Sequence, residues 1–442
     1  MTTSKIPFDD QIASRILDQF NFDRAVTSIR EINLMARALA DYFQIDFFHT
    51  EFGIPGPQAD ERGPQAEAEA LINDKLANRY PPFPGIPNIK AAASRFIEGY
   101  FNLTIPSAYC IPTSGSLNGA FIAIGIAGHI HTQRKTILYL TPAFPMSIYQ
   151  SRVWGLKSDL LDLYDHRGER LLETIDKRVQ KGDVAGILWS SPNNPSWICL
   201  HEDELAGIGD ICTRRDILAI EDVAYLGMDY RRDYSIPGKE PFIPTVARYT
   251  KNAFVLISAS KVFSYAGQRV GILAAAEELL TRRYSALETR FGSSVVLNTI
   301  QRSLIGAITG SVSISAQYGL TRLLQEAASG NLNFLEHVRE YADRSHLLKK
   351  AFLANGFSLV YDNDMGQPLS DGFYFTVSYP GFSGRELVRI LLNYGISTVP
   401  LEIMGSSRTE GIRVCSSQTT QDRIPELAER LQIFNSRISH RK

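Results

Sequence analysis

This sequence predicts an α/β fold: a large domain with a mostly parallel central sheet sandwiched by helices, and a smaller α+β domain. Three observations carry the prediction. Short apolar runs alternate with helix-length segments through the middle of the chain, long helical stretches take over after about residue 285, and a second set of short apolar runs follows. Strands that alternate with helices lie parallel to one another and are buried on both faces, so they read as unbroken apolar runs rather than as apolar–polar alternation.

Taken in order, residues 10 to 45 carry apolar positions at helical spacing: Ile12, Ile16, Leu17 and Phe20, then Ile32, Leu34, Met35 and Leu39. One or two amphipathic helices are expected there. Phe52–Pro64 and Tyr80–Pro87 are rich in Gly and Pro and read as loops. Six strands are then expected, at Ala108–Ile111, Thr136–Leu140, Gly186–Trp189, Ile217–Ile220, Phe254–Ile257 and Val270–Ala274. A long helix is expected over Asn333–Asn355. It is followed by strands near Gly372–Val377, Ile396–Val399 and Gly411–Cys415, with a helix at Arg385–Leu392. The expected division is an N-terminal helical segment (residues 1–60), the large domain (61–335) and the small C-terminal domain (336–442).

The chain has 442 residues, enough for two or three domains at ~100–200 residues each. Lys and Arg total 46 against 47 Asp and Glu, which argues against general attraction to nucleic-acid phosphate. Hydrophobic residues at 44% and charged residues at 21% are those of a folded, water-soluble protein. Cys110, Cys199, Cys212 and Cys415 stand far apart, with no CxxC pair to suggest zinc, an iron–sulfur cluster or a redox dithiol. No metal is expected. The first twenty residues lack the apolar stretch of a signal peptide, and the most apolar run, Gly119 to Gly128, falls well short of the ~20 residues that span a bilayer. A cytosolic protein is the expectation.

In open α/β sheets, ligands bind beyond the carboxyl ends of the strands. Here those ends read Thr113-Ser-Gly-Ser116-Leu117, Thr141-Pro-Ala-Phe144-Pro, Ser191-Pro-Asn-Asn194-Pro195, Glu221-Asp222-Val-Ala-Tyr225 and Ser258-Ala-Ser-Lys261. Together they offer small hydroxyls with glycine, an aromatic ring, an amide, an acid with a phenol, and a lysine. Such a set suits a phosphorylated aromatic cation and a reactive amine. Each piece alone has a plainer reading. Ser114–Ser116 suits either a phosphate or an ordinary helix cap, Phe144 a turn or core, Asn193-Asn194-Pro195 a turn, and Lys261 a solvated surface.

In combination the pieces resemble a known family. Ser258-Ala-Ser-Lys261-Val-Phe-Ser-Tyr-Ala-Gly-Gln-Arg269-Val-Gly271 is similar to the cofactor-lysine segment of pyridoxal-phosphate-dependent class I/II aminotransferases, the aspartate aminotransferase fold or fold type I. The Asn194 loop, the Asp222–Tyr225 strand end, Tyr80-Pro-Pro-Phe-Pro-Gly85 and Gly411-Ile-Arg413-Val resemble other motifs of that family, in the same order. The likeness runs from about Phe52 to Arg413.

The resemblance implies a pyridoxal 5'-phosphate cofactor and an aminotransferase that moves an amino group from an amino acid to a 2-oxo acid. Lys261 is then the amine that forms a Schiff base with the cofactor aldehyde and afterwards carries a proton as base and acid. Asp222 keeps the pyridine nitrogen protonated so that the ring accepts electrons. Asn194 and Tyr225 are implied to bond the ring 3-oxygen, and Phe144 to stack on the ring. Ser116, Ser258, Arg269 and the amides of Ser116 and Leu117 are implied to hold the phosphate. Tyr80 is implied to reach the phosphate of a neighbouring subunit, which requires a homodimer with shared active sites. Arg413 is implied to clamp the substrate α-carboxylate through its planar fork, helped by Asn194 and the backbone at Gly53. The N-terminal segment is expected to join the small domain.

The chain also departs from the family pattern. Pro195 is followed by Ser196-Trp197, so a bulky aromatic stands where the family has a turn glycine. Arg408 is an alternative to Arg413, which its apolar flanks Ile412 and Val414 favour. Trp197, Phe373 and Tyr374 suit either an aromatic pocket or the core. The same apparatus serves other chemistry at Cα, such as C–S lyases and decarboxylases. A cofactor-binding regulator would need a basic helix-turn-helix, and none is visible at the N-terminus.

Overall fold

The structure is a computed structural model that describes residues 6–21 and 28–439. It divides into two compact units. The sheet unit takes Pro57–Asn193 and Ile198–Val338; the terminal unit takes the described residues of Met1–Gly56, the four residues Asn194–Trp197, and those of Arg339–Lys442.

The sheet unit is built on seven strands: β1 (Cys110–Thr113), β2 (Thr136–Thr141), β3 (Lys157–Asp162), β4 (Val184–Ser190), β5 (Leu218–Asp222), β6 (Ala253–Ser258) and β7 (Gly271–Ala275). Their order is β1-β7-β6-β5-β4-β2-β3. Neighbours pair in parallel except β7, which runs against both β1 and β6. Six of these strands match the apolar runs. The seventh, β3, is an edge strand whose sequence, Lys-Ser-Asp-Leu-Leu-Asp, exposes Lys157, Ser158 and Leu160. Charge on an edge blunts pairing with other chains, and it also erases the apolar run that marks a buried strand. The Ser116–Ile130 helix is apolar nearly all round and lies in the core, as such a helix must.

The expected helix over Asn333–Asn355 is in fact two, Phe334–His337 and Glu340–Ala354. Tyr230 Oη donates to the Val338 carbonyl at 3.0 Å, which gives that oxygen a partner outside any helix.

The terminal unit joins chain segments from both ends. Helices Asp10–Asp18 and Ile29–Phe43, the latter opened by a Ser28–Glu31 capping box, contribute to one apolar cluster with Gly384–Leu392 and Ile424–Ser439. Phe48–His49 pairs in parallel with Ile396–Ser397. A four-stranded antiparallel sheet runs Val399–Pro400, Ile412–Cys415, Tyr374–Ser378, Ser358–Leu359. One core holds the unit together, with Leu17, Ile32, Leu39, Leu391, Val414 and Phe434 all buried in it. No described helix is long and apolar enough to cross a membrane.

Candidate active site

Strand register sets the carboxyl edge of the sheet unit. Ser190, the last residue of β4, lies opposite Asp222, the last of β5. Ser258, the last of β6, lies opposite Gly271, which in turn faces Thr113, the last of β1. The residues that follow these strands therefore emerge along one edge.

The Ser116–Ile130 helix begins there. Gly115 precedes it with φ 81°, no side chain caps it, and the Ser116 and Leu117 amides have no hydrogen-bond partner within the described chain. Arg269 is held against this helix end. A β-carbon on Gly115 would sit 2.7 Å from Arg269 Nη2, so only glycine lets the guanidinium approach. Arg269 Nη1 also donates to the Ala266 carbonyl at 2.9 Å and to Ser260 Oγ at 3.4 Å. The positive end of a helix dipole and a guanidinium thus stand together, an arrangement that an anion relieves. Ser258 is buried beside them, and its Oγ accepts from the Ser260 amide at 3.2 Å.

Asp222 retains some exposure, yet protein encloses it densely enough that burial pushes its pKa up to about 7, against the pull of the Ala224 amide donating to Oδ1 at 3.1 Å. Its neighbour Glu221 points to the opposite face of the sheet, as alternation requires. Burial pushes Glu221 to about 7 as well, although Oε2 accepts from Thr245 Oγ1 at 2.5 Å and from the Val246 amide at 3.1 Å. Lys261 follows β6 and is half-buried, its carbonyl accepting from the Ser264 amide. Tyr225 is buried, and Phe144 is half-buried ahead of the Pro145–Val153 helix. Asn193 Nδ2 donates to the Pro142 carbonyl at 2.8 Å, tying the turn after β4 to the turn after β2. Tyr80, in contrast, is fully exposed.

In the terminal unit, Arg413 is only 1% exposed. Its Nη1 donates to Asn194 Oδ1 at 3.3 Å, Nη2 donates to the Glu51 carbonyl, and its guanidinium lies over the Tyr374 ring, 4.5 Å from the centroid. Nε is buried with no partner. Glu51 is itself fully buried, receiving Asn33 Nδ2 at 2.7 Å, His49 Nδ1 at 2.9 Å and Ser397 Oγ at 2.5 Å. Burial works to raise its pKa, but His49, Ser397 and Asn33 outweigh that and hold it below the ordinary carboxylate value. Gly53 is half-buried, and any β-carbon there would collide with the Tyr374 hydroxyl. Arg408 lies instead over the Tyr361 ring at 5.7 Å.

Trp197 keeps the left-handed backbone of a glycine, φ 64°, at a cost of roughly 1 kcal/mol or more for a bulky residue. The loop it belongs to is closed at its base by the Asn193 amide donating to the Ile198 carbonyl at 2.9 Å. Trp197, Phe373 and Tyr374 are all buried, and Phe373 packs on Tyr341 and Tyr374, so the three belong to the core. Sequence reasoning passed over Ser260, signalled by the repeated hydroxyl in Ser-Ala-Ser-Lys, and Glu51, for which the sequence holds no signal beyond an acid next to a Gly-Pro loop.

A sequence profile of aminotransferases of class I and II matches residues 58–431. The chain is 22% identical to the valine–pyruvate aminotransferase of Mycobacterium tuberculosis, over 80% of this chain and 82% of that protein. It is 23% identical to a probable aspartate aminotransferase of Methanocaldococcus jannaschii over a shorter stretch, 51% of this chain and 57% of the relative. Its fold superposes on a mutant aspartate aminotransferase of Thermus thermophilus with a TM-score of 0.75 at 20% identity, covering 93% and 97% of the two chains. With the profile spanning most of the sequence, from before the first strand of the sheet unit to the last helix of the terminal unit, the chain belongs to the class I and II aminotransferase family, a family of transaminases.

Proposed function

We propose that this protein is a pyridoxal 5'-phosphate-dependent aminotransferase that moves an amino group from an amino acid to a 2-oxo acid. The observation that carries the reading is the sheet edge itself, where an anion seat of unpartnered amides and Arg269 shares one row of strand ends with Asp222 and Lys261. The donor set fits a phosphate, and a carboxyl with its pKa near 7 at the end of β5 fits a partner for a ring nitrogen. When bound, pyridoxal phosphate supplies an electrophilic aldehyde carbon and a protonated ring that takes up the electron pair left at the substrate Cα.

Ser116, Leu117, Ser258, Ser260 and Arg269 hold the phosphate in this reading, and Asp222 keeps the ring nitrogen protonated. Tyr225 and Asn194 donate to the ring 3-oxygen, and Phe144 covers a face of the ring. Lys261 would anchor the group by its amine at the aldehyde carbon. With an amino acid bound, the Lys261 amine would act as the base that takes the proton from the substrate Cα and as the acid that gives it up again. Arg413, with Asn194 and the Gly53 backbone, takes the α-carboxylate; its buried, unpartnered Nε supports that role. The protein is a cytosolic homodimer in this reading, and the exposure of Tyr80, with Ile72 and Phe83, supports the dimer, in which Tyr80 serves the partner's site. The relatives' names include both valine and aspartate, so the family supports transamination without selecting one side chain.

The test is to expose purified holoenzyme to each amino acid in turn. A transaminase converts its cofactor to the pyridoxamine form without a second substrate. Release of pyruvate and ammonia instead would reassign the protein to the lyases, and an unchanged spectrum with every amino acid would reject the reading.

A further inference from the structure

The left-handed backbone at residue 197 needs something to hold it, and the indole does so. Trp197 lies on Gly372, where any β-carbon would collide with its ring. Its Nε1 donates to Ser370 Oγ at 3.1 Å, and its ring meets Tyr374 at 72°, with centroids 6.3 Å apart. Tyr374 carries the Arg413 guanidinium on its face, and Arg413 donates back to Asn194, three residues before Trp197. The contacts close a ring: Asn194, Trp197, Tyr374, Arg413, Asn194. A loop with glycine at this position would have the backbone conformation without the anchor.

We propose that Trp197 is a positioning residue for recognition of the substrate carboxylate. Its indole fixes the Asn194–Trp197 segment against Gly372, Ser370 and Tyr374, so that Asn194 Oδ1 orients Arg413 before any ligand arrives. This rests on the reading of Arg413 as the carboxylate clamp. Without the indole the segment loses its contacts with Gly372, Ser370 and Tyr374, Asn194 leaves Arg413, and a carboxylate must then order both groups on binding. Proton transfer by Lys261 involves none of these contacts.

The experiment compares the wild-type holoenzyme with Trp197→Gly, Trp197→Phe and Gly372→Ala. Calorimetric titration with propanoate, 3-phenylpropanoate and succinate, which carry the carboxylate but no reacting amine, reads the clamp directly. The expected result is carboxylate binding weakened about tenfold in Trp197→Gly and in Gly372→Ala, the scale of one hydrogen bond to a charged group. Trp197→Phe, which keeps a ring but loses the Nε1–H, falls between these and wild type. Pyridoxal phosphate affinity, to which Asn194 adds one bond beside the phosphate seat, falls by less than carboxylate affinity in all three, and with a reacting amino acid KM rises by more than kcat falls. Adding Gly372→Ala to Trp197→Gly costs nothing further, because the methyl group enters the space the indole left. Wild-type carboxylate affinity in both Trp197→Gly and Gly372→Ala overturns the proposal, as does a loss of kcat and cofactor affinity as large as the loss of carboxylate affinity. A wild-type enzyme that binds none of the three carboxylates rejects Arg413 as the clamp and this proposal with it, whereas the amino-acid screen above decides transamination separately.

Discussion

The sheet edge and the Arg413 cluster each gather charged and polar groups, but by different means. At the sheet edge, backbone register does the gathering: Asp222 and Ser258 end adjacent strands, and the amides of Ser116 and Leu117 are where they are because a helix starts there. Around Arg413 the partners are Glu51, Asn194 and Tyr374, drawn from separate stretches of chain, and the side chains position one another. Register survives most side-chain changes, since the ladder hydrogen bonds belong to the backbone. A ring of side chains does not, and changes within it are coupled rather than additive. Replacement of a group at the sheet edge should therefore remove that group's chemistry and leave its neighbours in place, whereas replacement in the Arg413 cluster should disturb several residues together.

The largest test of this contrast is Lys261→Ala. It should fold, bind pyridoxal phosphate without the absorption of the Schiff base, and lose at least ~10²–10⁴-fold in turnover, the range of the proton-transfer role alone. Near-normal turnover would remove Lys261 from the mechanism. Next in size, Arg413→Ala should cost about 2–5 kcal/mol in kcat/KM, as for truncation of one partner in a buried charge pair. Because the cluster is coupled, the loss should be matched by a detectable change around Tyr374 and Asn194. If amines that lack the carboxylate are slowed as much as their parent amino acids, Arg413 is not the clamp.

Asp222 allows a pH test of the sheet edge. Its folded pKa of about 7 lies above the ~3.9 of an unfolded aspartate, so the folded apoprotein binds the extra proton between those values. That contribution to stability is fully present below about pH 4 and is lost as pH rises through about 7. Asp222→Asn should flatten part of the decline by on the order of 2 kcal/mol, below the full conversion because the carboxyl is partly open to water. Glu221, shifted in the same direction, keeps the rest of the slope. Denaturant midpoints of the two apoproteins at pH 5 and pH 8 measure the effect, and parallel slopes would contradict it.

The smallest expected effect concerns Tyr80. If Tyr80 serves the partner's site as proposed, then in a hybrid of one wild-type chain with one chain carrying Tyr80→Phe and Lys261→Ala the only competent site receives its residue 80 from the defective chain. Pyridoxal phosphate should bind there more weakly by ~0.5–1.5 kcal/mol, or up to ~3 kcal/mol because the phosphate is charged. Wild-type affinity in the hybrid would assign Tyr80 to its own chain or to packing.

The same contrast explains what could be read from the sequence. The buried strands were legible because burial on both faces leaves an apolar run, and the residues after them were legible because strand ends have a fixed chemical meaning in such sheets. Lys157–Asp162 was hidden by its exposure at the edge, and the break at Val338 by a hydrogen bond from Tyr230, more than a hundred residues earlier. Trp197 stood out in the sequence as a departure. Its conformation did not, because it depends on the missing side chain of Gly372, which no local pattern around Pro195 records. Glu51 was invisible for a like reason: three of its four hydrogen-bonding partners, Asn33, Ser397 and Arg413, lie far off in sequence.

The split of the terminal unit between both ends of the chain also has a consequence for how the protein is made. The hydrogen bond from Thr50 to the Ser397 carbonyl spans 347 residues, and the one from Arg413 to Asn194 spans 219. Synthesis runs from the N-terminus, so the amphipathic helices Asp10–Asp18 and Ile29–Phe43 leave the ribosome with apolar faces whose partners do not yet exist. Every strand of the sheet unit follows before Leu387 or Leu427 appears to cover them. A nascent chain released before Gly411 would carry the whole sheet edge, Lys261 and Asp222 included, and no Arg413. On the proposed role of Arg413, the capacity to grip a substrate carboxylate is among the last properties the growing chain acquires, and until then the apolar faces of Asp10–Asp18 and Ile29–Phe43 are open to aggregation.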